Sequence, residues 1–467
     1  MRYGSGMASA PSPGSLLAVA IVVGAFGCGS NKSSPGGGDA STGGDAETDA
    51  GDDGAGPAGY PAFPADLPQV QKNQGAVLSS PVLVTVSWPG DANASTWEGF
   101  GDAIGASTYW SATTSEYGVG PATSGPSNHV RMTQALPPSL SYTDLQNFVV
   151  AAVQAAESDA GAGATDGGAP DPAWPRPTLD AHGNAQTIYS LFIAPSTNVT
   201  DPGSGQPFCV EGGLGYHDSV VVGTANVAYS VTLECAGLTD AEIEETAAHE
   251  SVEAATDPFV ESATLGYVGF DADHLAWDIY TGFNDELADA CQNWQDSYYE
   301  ESGSFPYWVQ RSWSNAAASK GADPCVPAAA GTYYGMALLA GQATTVQVDL
   351  TSIGASKEST KGFAATVGQP LTFQVGYFSD ASAPAWKIAY DFPSETQLFT
   401  ETGSTLGNGT ATVTIDKTTG ANGDVANVSV TVKTKGTAGF QIMAITWDPP
   451  TMTGFAPHYL PIVLVDQ

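Results

Sequence analysis

LTDAEIEETAAHESVEAATDP, residues 238–258, specifies a helix at both of its ends. Thr239 and Glu242 form a capping box, and Leu238 with Ile243 forms the hydrophobic staple that fixes the direction in which the chain enters the helix. Pro258 disfavours helical geometry in the residue before it, so we expect the helix to begin at Thr239 and to end just before that proline. The stretch therefore predicts a helix of about five turns.

His249 and Glu253 lie four residues apart on this helix, so their side chains project from one face, one turn apart. Two ligands hold zinc at this separation in the His-Glu-x-x-His metallopeptidases, where the glutamate is the general base. Here Glu253 replaces the second histidine, and Glu250 occupies the position of the base. A carboxylate also ligates zinc, and this harder ligand set admits calcium or manganese. Downstream, Glu286 and Asp289 in the run NDELADAC offer a further ligand.

The N-terminus has the layout of an export signal. Arg2 precedes an apolar run over residues 16–26, which is too short to span a bilayer stably. The string AFGC resembles the lipobox of bacterial lipoproteins, in which Cys28 becomes the acylated N-terminus after cleavage. Residues 1–28 are thus expected to be a lipoprotein signal peptide ending at the lipidated cysteine. The alternative is an ordinary secretory signal, and the protein is exported in either case. We expect an exported, lipid-anchored protein at the outer membrane or cell surface, with the bilayer as a partner through Cys28.

Residues 29–73 are rich in Gly, Ala, Ser and Asp, and contain few large apolar residues. This composition predicts a disordered, self-repelling acidic tether. The whole chain has 13 Lys and Arg against 49 Asp and Glu, for a formal net charge of −36. Such a charge repels phosphate backbones, so we do not expect a nucleic-acid partner.

Four cysteines remain once Cys28 is assigned to the lipid anchor. An even number in an exported chain predicts two disulfides, for which three pairings are possible. Proximity in sequence favours Cys209 with Cys235 and Cys291 with Cys325. A metal site built on cysteines is disfavoured, because no pair has the close spacing of zinc ribbons.

Residues 74–327 predict an α/β or α+β layered domain, since strand-like and helix-like runs are mixed along it. Strands are expected at 82–88, 186–194, 219–222 and 227–233. Helices are expected at 96–113 and from Thr143 to Ser158, where Thr143 and Gln146 form a capping box. Gly, Ala, Asp and Pro without periodicity predict an inserted surface loop at about 159–177.

Residues 328–467 consist of short alternating runs separated by turn residues, without a helical pattern. Such spacing predicts an all-β immunoglobulin-like sandwich. Its role is either structural spacing or the binding of a polysaccharide, peptide or surface protein.

The domain at 74–327 resembles the EXORDIUM-like, phosphate-induced extracellular proteins of plants and their bacterial relatives. The segments that carry the resemblance occur in the same order and are GAVLSSPVLVTVSW (75–88), STYWSATTSEYG (107–118), AHESVEAATDP (248–258), ELADAC (286–291) after Trp277, and YWVQRSWSNA (307–316). Relatives also have a cysteine-rich segment ending in a histidine, where this chain has FCVEGGLGYHD (208–218) with the single cysteine Cys209.

The resemblance implies a secreted cell-surface domain with a zincin-like helix, and it brings no defined reaction. Carried over residue by residue, it points to His249, Glu250 and Glu253 on the helix, to the acidic residues of ELADAC, and to His217 as a further metal ligand.

Three functions are compatible with these residues. In the first, the chain is a non-catalytic cell-surface or cell-wall binding module, and the site holds a structural ion, zinc or calcium. In the second, it is a zinc-dependent, peptidase-like hydrolase in which Glu250 deprotonates the attacking water. In the third, His249 is an ordinary core histidine and the glutamates form a solvated acidic stripe.

Overall fold

The fold was analysed in a computed structural model, which describes residues 59–158, 172–201, 205–260, 264–281, 286–292, 294, 296–353, 355–393, 397–399, 405–447 and 458–467. The predicted signal peptide, Cys28 and most of the predicted tether lie outside the described residues, as does most of the predicted loop at 159–177. The α-helices within the described residues are α1 Ala94–Ile104, α2 Thr108–Thr114, α3 Tyr142–Ser158, α4 Phe208–Glu211, α5 Asp240–Thr256, α6 Leu275–Thr281, α7 Asp289–Gln292 and α8 Asn315–Ala318.

The strands fall into two groups along the chain. Those before residue 328 are β1 Val70–Lys72, β2 Val82–Ser87, β3 His129–Arg131, β4 Ser139–Ser141, β5 Thr187–Ile193, β6 Asn198–Thr200, β7 Gly215–Val222, β8 Ala225–Leu233, β9 Tyr267–Phe270, β10 Tyr298–Glu300, β11 Trp308–Gln310, β12 Ser312–Trp313 and β13 Cys325–Val326. Those after it are β14 Tyr334–Leu338, β15 Thr344–Asp349, β16 Lys357–Ala365, β17 Pro370–Ser379, β18 Trp386–Asp391, β19 Gln397–Phe399, β20 Thr405–Gly407, β21 Thr410–Ile415, β22 Thr419–Gly420, β23 Val425–Thr434, β24 Phe440–Trp447 and β25 His458–Asp466.

A five-stranded sheet in the order β3-β2-β5-β8-β7 organises the first part of the chain. Its first four strands are parallel, and β7 is antiparallel to β8. Successive side chains of a strand point to opposite faces, so Ile188 and Phe192 of β5 pack in the same core cluster as α1 and α5. Tyr189 and Leu191 pack with α3 on the other face. The predicted layered mixture of helices and strands is therefore confirmed.

The predicted helix at 96–113 is wrong as a single element, because the structure has two helices there. Gly105 closes α1, and a Cβ at this position would lie 2.2 Å from the backbone oxygen of Ala122. Ser107 then caps α2 by accepting a hydrogen bond from the N–H of Trp110. The tight backbone contact at Gly105 and the new cap together redirect the chain.

The helix predicted from Thr143 begins at Tyr142, and its cap was wrongly assigned. Ser141 Oγ accepts from the N–H of Asp144, and the Asp144 carboxylate accepts from the N–H of Ser141. This reciprocal pair satisfies the free donors of the first turn. The helix extends to Ser158, the last described residue before residue 172.

The predicted tether at 29–73 extends too far, because residues 59–73 belong to the described structure. Strand β1 pairs with β9, and Val70 is buried. The side-chain amide of Asn315 donates to the carbonyl of Val70 and accepts from its N–H, at 2.8 Å in each case. The folded chain therefore begins before the predicted boundary at residue 74.

The part after residue 328 is β-rich, as predicted, and is built on two sheets. One has the order β14-β17-β23-β21, and the other β15-β16-β25-β24-β18-β22. Side chains from both sheets share a core, in which Phe363 stacks on Phe373 with ring centroids 4.8 Å apart. Strands β16 and β25 pair in parallel. The immunoglobulin-like assignment remains a prediction.

The two parts of the chain are in direct contact. Trp277 of α6 lies 5.1 Å from Tyr459 of β25 between ring centroids, and the Tyr280 hydroxyl donates to Asp391 at 2.9 Å. A single core cluster includes residues from both parts. Experiments on stability or binding are therefore best made on the whole chain.

Both predicted cysteine pairs are at disulfide distance. The Cα atoms of Cys209 and Cys235 are 5.5 Å apart, and those of Cys291 and Cys325 are 5.8 Å apart. Within the described residues, none of the helices has both the length and the apolar character needed to cross a bilayer.

Candidate metal site

Helix α5 begins and ends where its sequence predicts. Thr239 is the N-cap, its Oγ1 accepts from the N–H of Glu242, and the Glu242 carboxylate accepts from the N–H of Thr239. Leu238 packs on the core cluster that contains Ile243, consistent with the hydrophobic staple. Every residue from Ala247 to Thr256 is buried. Ionisable side chains are rarely buried without a partner, so those of this helix need one.

His249 has a fixed orientation because Gln310 of β11 holds one of its ring nitrogens. The side-chain amide of Gln310 donates to the carbonyl of Ala288 at 2.7 Å, so its oxygen is left to accept from Nδ1–H of His249 at 3.1 Å. In the neutral ring, Nε2 of His249 then carries the lone pair. This nitrogen lies 2.9 Å from Oε2 of Glu253 and 3.3 Å from Oδ1 of Asp289.

His217 of β7 is held in the same manner by the end of α5. Its Nε2 lies 3.2 Å from the carbonyl oxygen of Asp257, which accepts the ring N–H. Its Nδ1 faces three carboxylate oxygens, those of Glu250 at 3.6 Å, Glu253 at 3.7 Å and Glu286 at 3.8 Å. A histidine whose second nitrogen is anchored to an acceptor is the usual arrangement of a metal ligand.

Close approach of β7 to α5 depends on a glycine. A Cβ at Gly215 would lie 2.8 Å from the carbonyl oxygen of Val231 and 2.9 Å from Oε1 of Glu250. Only a residue without a side chain lets this strand lie against the helix, two residues before His217. The glycine therefore positions both His217 and Glu250.

The segment containing Glu286 and Asp289 closes the site. Oε1 of Glu253 accepts from the N–H groups of Ala288 at 3.1 Å and Asp289 at 3.0 Å, which leaves Oε2 facing the histidines. Cys291 joins this segment to Cys325 by the second disulfide. The expected third ligand from this segment is thus brought to the helix.

Asp257 is at the C-terminal cap of α5, where its N–H donates to the carbonyl of Glu253 at 2.7 Å. Its carboxylate accepts from the N–H of Gly266. The side chain therefore fixes the turn after the helix.

The most informative property of the site is a set of buried polar atoms that have no hydrogen-bond partner in the described residues. They are His249 Nε2, Glu250 Oε2, Glu253 Oε2, both carboxylate oxygens of Glu286 and both of Asp289. Burying a carboxylate without a donor or a counter-ion costs several kcal/mol. Two groups of these residues have ligand atoms within 4.8 Å of one another, namely His217 with Glu253 and Glu286, and His249 with Glu250 and Glu253. These buried groups can hold a metal ion.

The electrostatics of the cluster are dominated by excess negative charge. Burial, followed by the neighbouring Glu253, raises the pKa of Glu286 well above its ordinary value. Burial disfavours the imidazolium form of His217, but the Glu250 and Glu253 carboxylates override it and raise its pKa to about 9. The pKa of His249 is raised well above its ordinary value against the same penalty, mainly by Glu253. The site attracts cations, whether protons or metal ions.

The solvated-stripe hypothesis is wrong for the second half of the helix. Glu250 and Glu253 are only 2% and 0% exposed, and Nε2 of His249 has no hydrogen bond in the described residues. In the first half of the helix, Glu242 and Glu245 are half-buried. His249 is therefore not an ordinary, fully hydrogen-bonded core histidine.

The structure brings all six candidate residues together, and it adds Gln310, which sequence reasoning missed. Gln310 lies inside YWVQRSWSNA, but its importance depends on the pairing of β10 with β11 and the contact of β11 with α5. A neutral amide 61 residues from its partner carries no local sequence signature.

Comparison with known proteins gives little further information. No family model and no curated protein matches the chain. A solved structure, the crystal structure of the S-layer protein SbsC domains 4 and 5, is similar at 12% identity over 31% of this chain and 61% of that chain, with a TM-score of 0.15. A TM-score this low carries no inference about fold or function.

Proposed function

We propose that the chain is an extracytoplasmic, lipid-anchored surface protein in which a buried metal ion stabilises a non-catalytic cell-surface or cell-wall binding module. The export signal, the lipobox-like string at Cys28 and the acidic tether support a location outside the cytoplasm. The resemblance to the EXORDIUM-like proteins and their zincin-like helix supports the same location. Partners of the module are a polysaccharide, a peptide or another surface protein.

The observation that carries the metal site is the convergence of unpartnered atoms from His249, Glu250 and Glu253, whose ligand atoms all lie within 4.8 Å of one another. Nε2 of His249 lies 2.9 Å from a Glu253 oxygen without forming a hydrogen bond, and Oδ1 of Asp289 is equally unpartnered. A lone pair and a carboxylate repel each other at this distance unless a cation lies between them or the ring is protonated. Ligand atoms of one metal ion are separated by about 3 Å when the bonds are about 2 Å long.

Zinc is the metal that we propose. Imidazole nitrogens favour zinc over calcium, and two histidines take part in the cluster. The carboxylates of Glu253, Glu286 and Asp289 complete a mixed nitrogen and oxygen set that zinc accepts. Calcium is the alternative, because carboxylates outnumber histidines. Bound zinc would supply charge neutralisation and a cross-link between α5, β7 and the segment at 286–292.

Burial favours a structural role over a catalytic one. The side chains of His217, Glu250, Glu253 and Asp289 are between 0% and 3% exposed, and that of His249 is 8% exposed. A peptidase must admit a polypeptide to its zinc and keep one coordination position open. A site closed on all sides by protein atoms is instead typical of a metal that stabilises a fold.

The alternative function is a zinc-dependent, peptidase-like hydrolase. Glu250 supports it, because this residue follows the first histidine of the motif and its Oε2 has no hydrogen bond in the described residues. In that case Glu250 would hold the proton of the attacking water, while His249, Glu253 and Asp289 hold the metal.

Metal content of the purified whole chain, measured by elemental analysis, tests the proposal. We expect bound zinc in the wild type, a lower zinc content in His249→Ala, and wild-type zinc content in His182→Ala, which removes an exposed histidine as a control. Because the ion binds the folded state, free zinc at about 100 times its Kd should add about 2.7 kcal/mol to the free energy of unfolding. Absence of metal from the wild type, even after zinc is supplied, would overturn the proposal.

The same preparations separate the two functions. A structural site predicts no cleavage of peptide or cell-wall substrates by the zinc-loaded chain. Cleavage that is lost in Glu250→Gln, with zinc retained, would replace the binding-module proposal with the hydrolase.

A further inference from the structure

The ligand atoms of the metal site fall into two sets that share one residue. Within the described residues, the groups whose atoms all lie within 4.8 Å of one another are His217, Glu253 and Glu286, and His249, Glu250 and Glu253. Neither group contains both histidines. Two ligands of a single ion lie at most about 4.4 Å apart, which is twice a bond length of about 2.2 Å. Two histidines that belong to different groups therefore favour two ion positions.

Glu253 is suited to bridge these positions. Its Oε1 is occupied by the N–H groups of Ala288 and Asp289, so the carboxylate cannot rotate freely. Its Oε2 points between the imidazoles, 2.9 Å from Nε2 of His249 and 3.7 Å from Nδ1 of His217. One oxygen therefore faces both histidine nitrogens.

Each position then has further carboxylates of its own. On the His249 side, Oδ1 of Asp289 lies 3.3 Å from Nε2. On the His217 side, Oε2 of Glu286 lies 3.8 Å from Nδ1. Glu250 lies between them, since its Oε2 is 3.6 Å from Nδ1 of His217 and it also belongs to the group of His249.

Charge balance favours the same conclusion. Glu250, Glu253, Glu286 and Asp289 are between 0% and 4% exposed. The ion pairs found for these carboxylates in the described residues involve only His217 and His249. With neutral histidines, four ionised carboxylates match two divalent cations, whereas one divalent cation balances the site only if two protons are held among these carboxylates and histidines. An uncompensated buried charge costs several kcal/mol.

We propose that the site holds two divalent cations bridged by Glu253. His249 and Glu250 bind one cation, and His217 and Glu286 bind the other. This inference rests on the proposed metal site and specifies its nuclearity. The first cation joins residues of α5 alone, whereas the second links α5 to strand β7 through His217 and, through Glu286, to the segment that the Cys291–Cys325 disulfide holds.

Zinc stoichiometry of the whole chain tests the inference. The wild type is loaded with zinc, washed at high salt to remove ions held by its acidic surface, and examined by native mass spectrometry and elemental analysis. We expect two equivalents in the wild type and in the control His182→Ala. Each of His217→Ala and His249→Ala should lose one of the two equivalents. One equivalent of zinc in the wild type would overturn the two-cation inference but not the proposed metal site. No bound zinc would overturn both proposals.

A measurement on the wild type avoids dependence on variants that fail to fold. The chain is loaded with Mn²⁺ and examined by electron paramagnetic resonance. Two ions bridged by the Glu253 oxygen should give an exchange-coupled spectrum. A spectrum of isolated ions would overturn the bridged arrangement.

Discussion

Gln310→Leu is the perturbation that isolates the support of His249 from its ligands. Leucine keeps approximately the volume of glutamine but has neither the acceptor for Nδ1–H of His249 nor the donor to the carbonyl of Ala288. Both partners are buried, so two polar groups lose their hydrogen bonds. Each loss costs about 1–3 kcal/mol, and the free energy of unfolding should fall by roughly 2–5 kcal/mol.

The same change should weaken metal binding. Removal of the group that orients a ligating histidine typically lowers metal affinity by about 10- to 100-fold. Zinc affinity is measured by competition with a chromophoric chelator, and stability by urea unfolding of the metal-free and zinc-loaded chain. Gln71→Leu, in the exposed part of β1, is the matched control and should leave both quantities unchanged.

A conservative variant separates orientation from packing. Gln310→Glu keeps an oxygen that accepts from His249 but cannot donate to Ala288, so it should recover part of the zinc affinity lost in Gln310→Leu. If Gln310→Leu bound zinc with wild-type affinity, this result would refute the inference that the Gln310 amide fixes which ring nitrogen of His249 faces the carboxylates.

Three further predictions concern stability. Replacing Cys291 and Cys325 by serine removes a cross-link between residues 34 apart in sequence. The free energy of unfolding should fall by roughly 3–4 kcal/mol, and zinc binding should weaken. An unchanged urea midpoint would contradict this prediction. Thr239→Ala removes the capping box of α5 and should cost about 1 kcal/mol in the same assay, whereas Thr239→Ser should be nearly neutral. Burial opposes protonation of His274, but Asp271 at 2.7 Å raises its pKa to about 9, above the ordinary 6.5. The stabilisation by this ion pair is therefore complete below about pH 6.5 and is lost as pH rises through about 9. His274→Ala should lower the free energy of unfolding by about 1–2 kcal/mol more at about pH 6 than at about pH 10. An equal loss at both pH values would contradict the ion pair.

Local sequence signals predicted the features that depend on neighbouring residues. Thr239, Glu242 and Pro258 lie within one helix length of each other, and they fixed the start and the end of α5. The spacing of His249, Glu250 and Glu253 similarly required only helical periodicity. The disulfide pairing followed from proximity along the chain.

Features that depend on distant contacts were missed. Val70 is a single apolar residue among polar neighbours, and its burial depends on β9 and on Asn315, which lies 245 residues away. The break between α1 and α2 depends on contact of Gly105 with Ala122. Composition and periodicity contain no information about such partners, which explains why the tether was extended too far and the two helices were merged.

Within the site, sequence predicted the residues but not their geometry. His217 was included through the resemblance alone, and only the pairing of β7 with β8 places it opposite the helix. The sequence also did not predict the anchoring of one nitrogen of each histidine. Gln310 anchors His249, and the carbonyl of Asp257 anchors His217. These second nitrogens decide which lone pairs face the carboxylates.

The measurement that tests the central claim most directly is an anomalous diffraction experiment on crystals of the zinc-loaded chain, with data collected on both sides of the zinc absorption edge. We predict anomalous density between Nε2 of His249 and the carboxylates of Glu250 and Glu253, present above the edge and absent below it. Density for these side chains with no anomalous signal among them would contradict a metal site and would mean that protons alone neutralise the buried carboxylates.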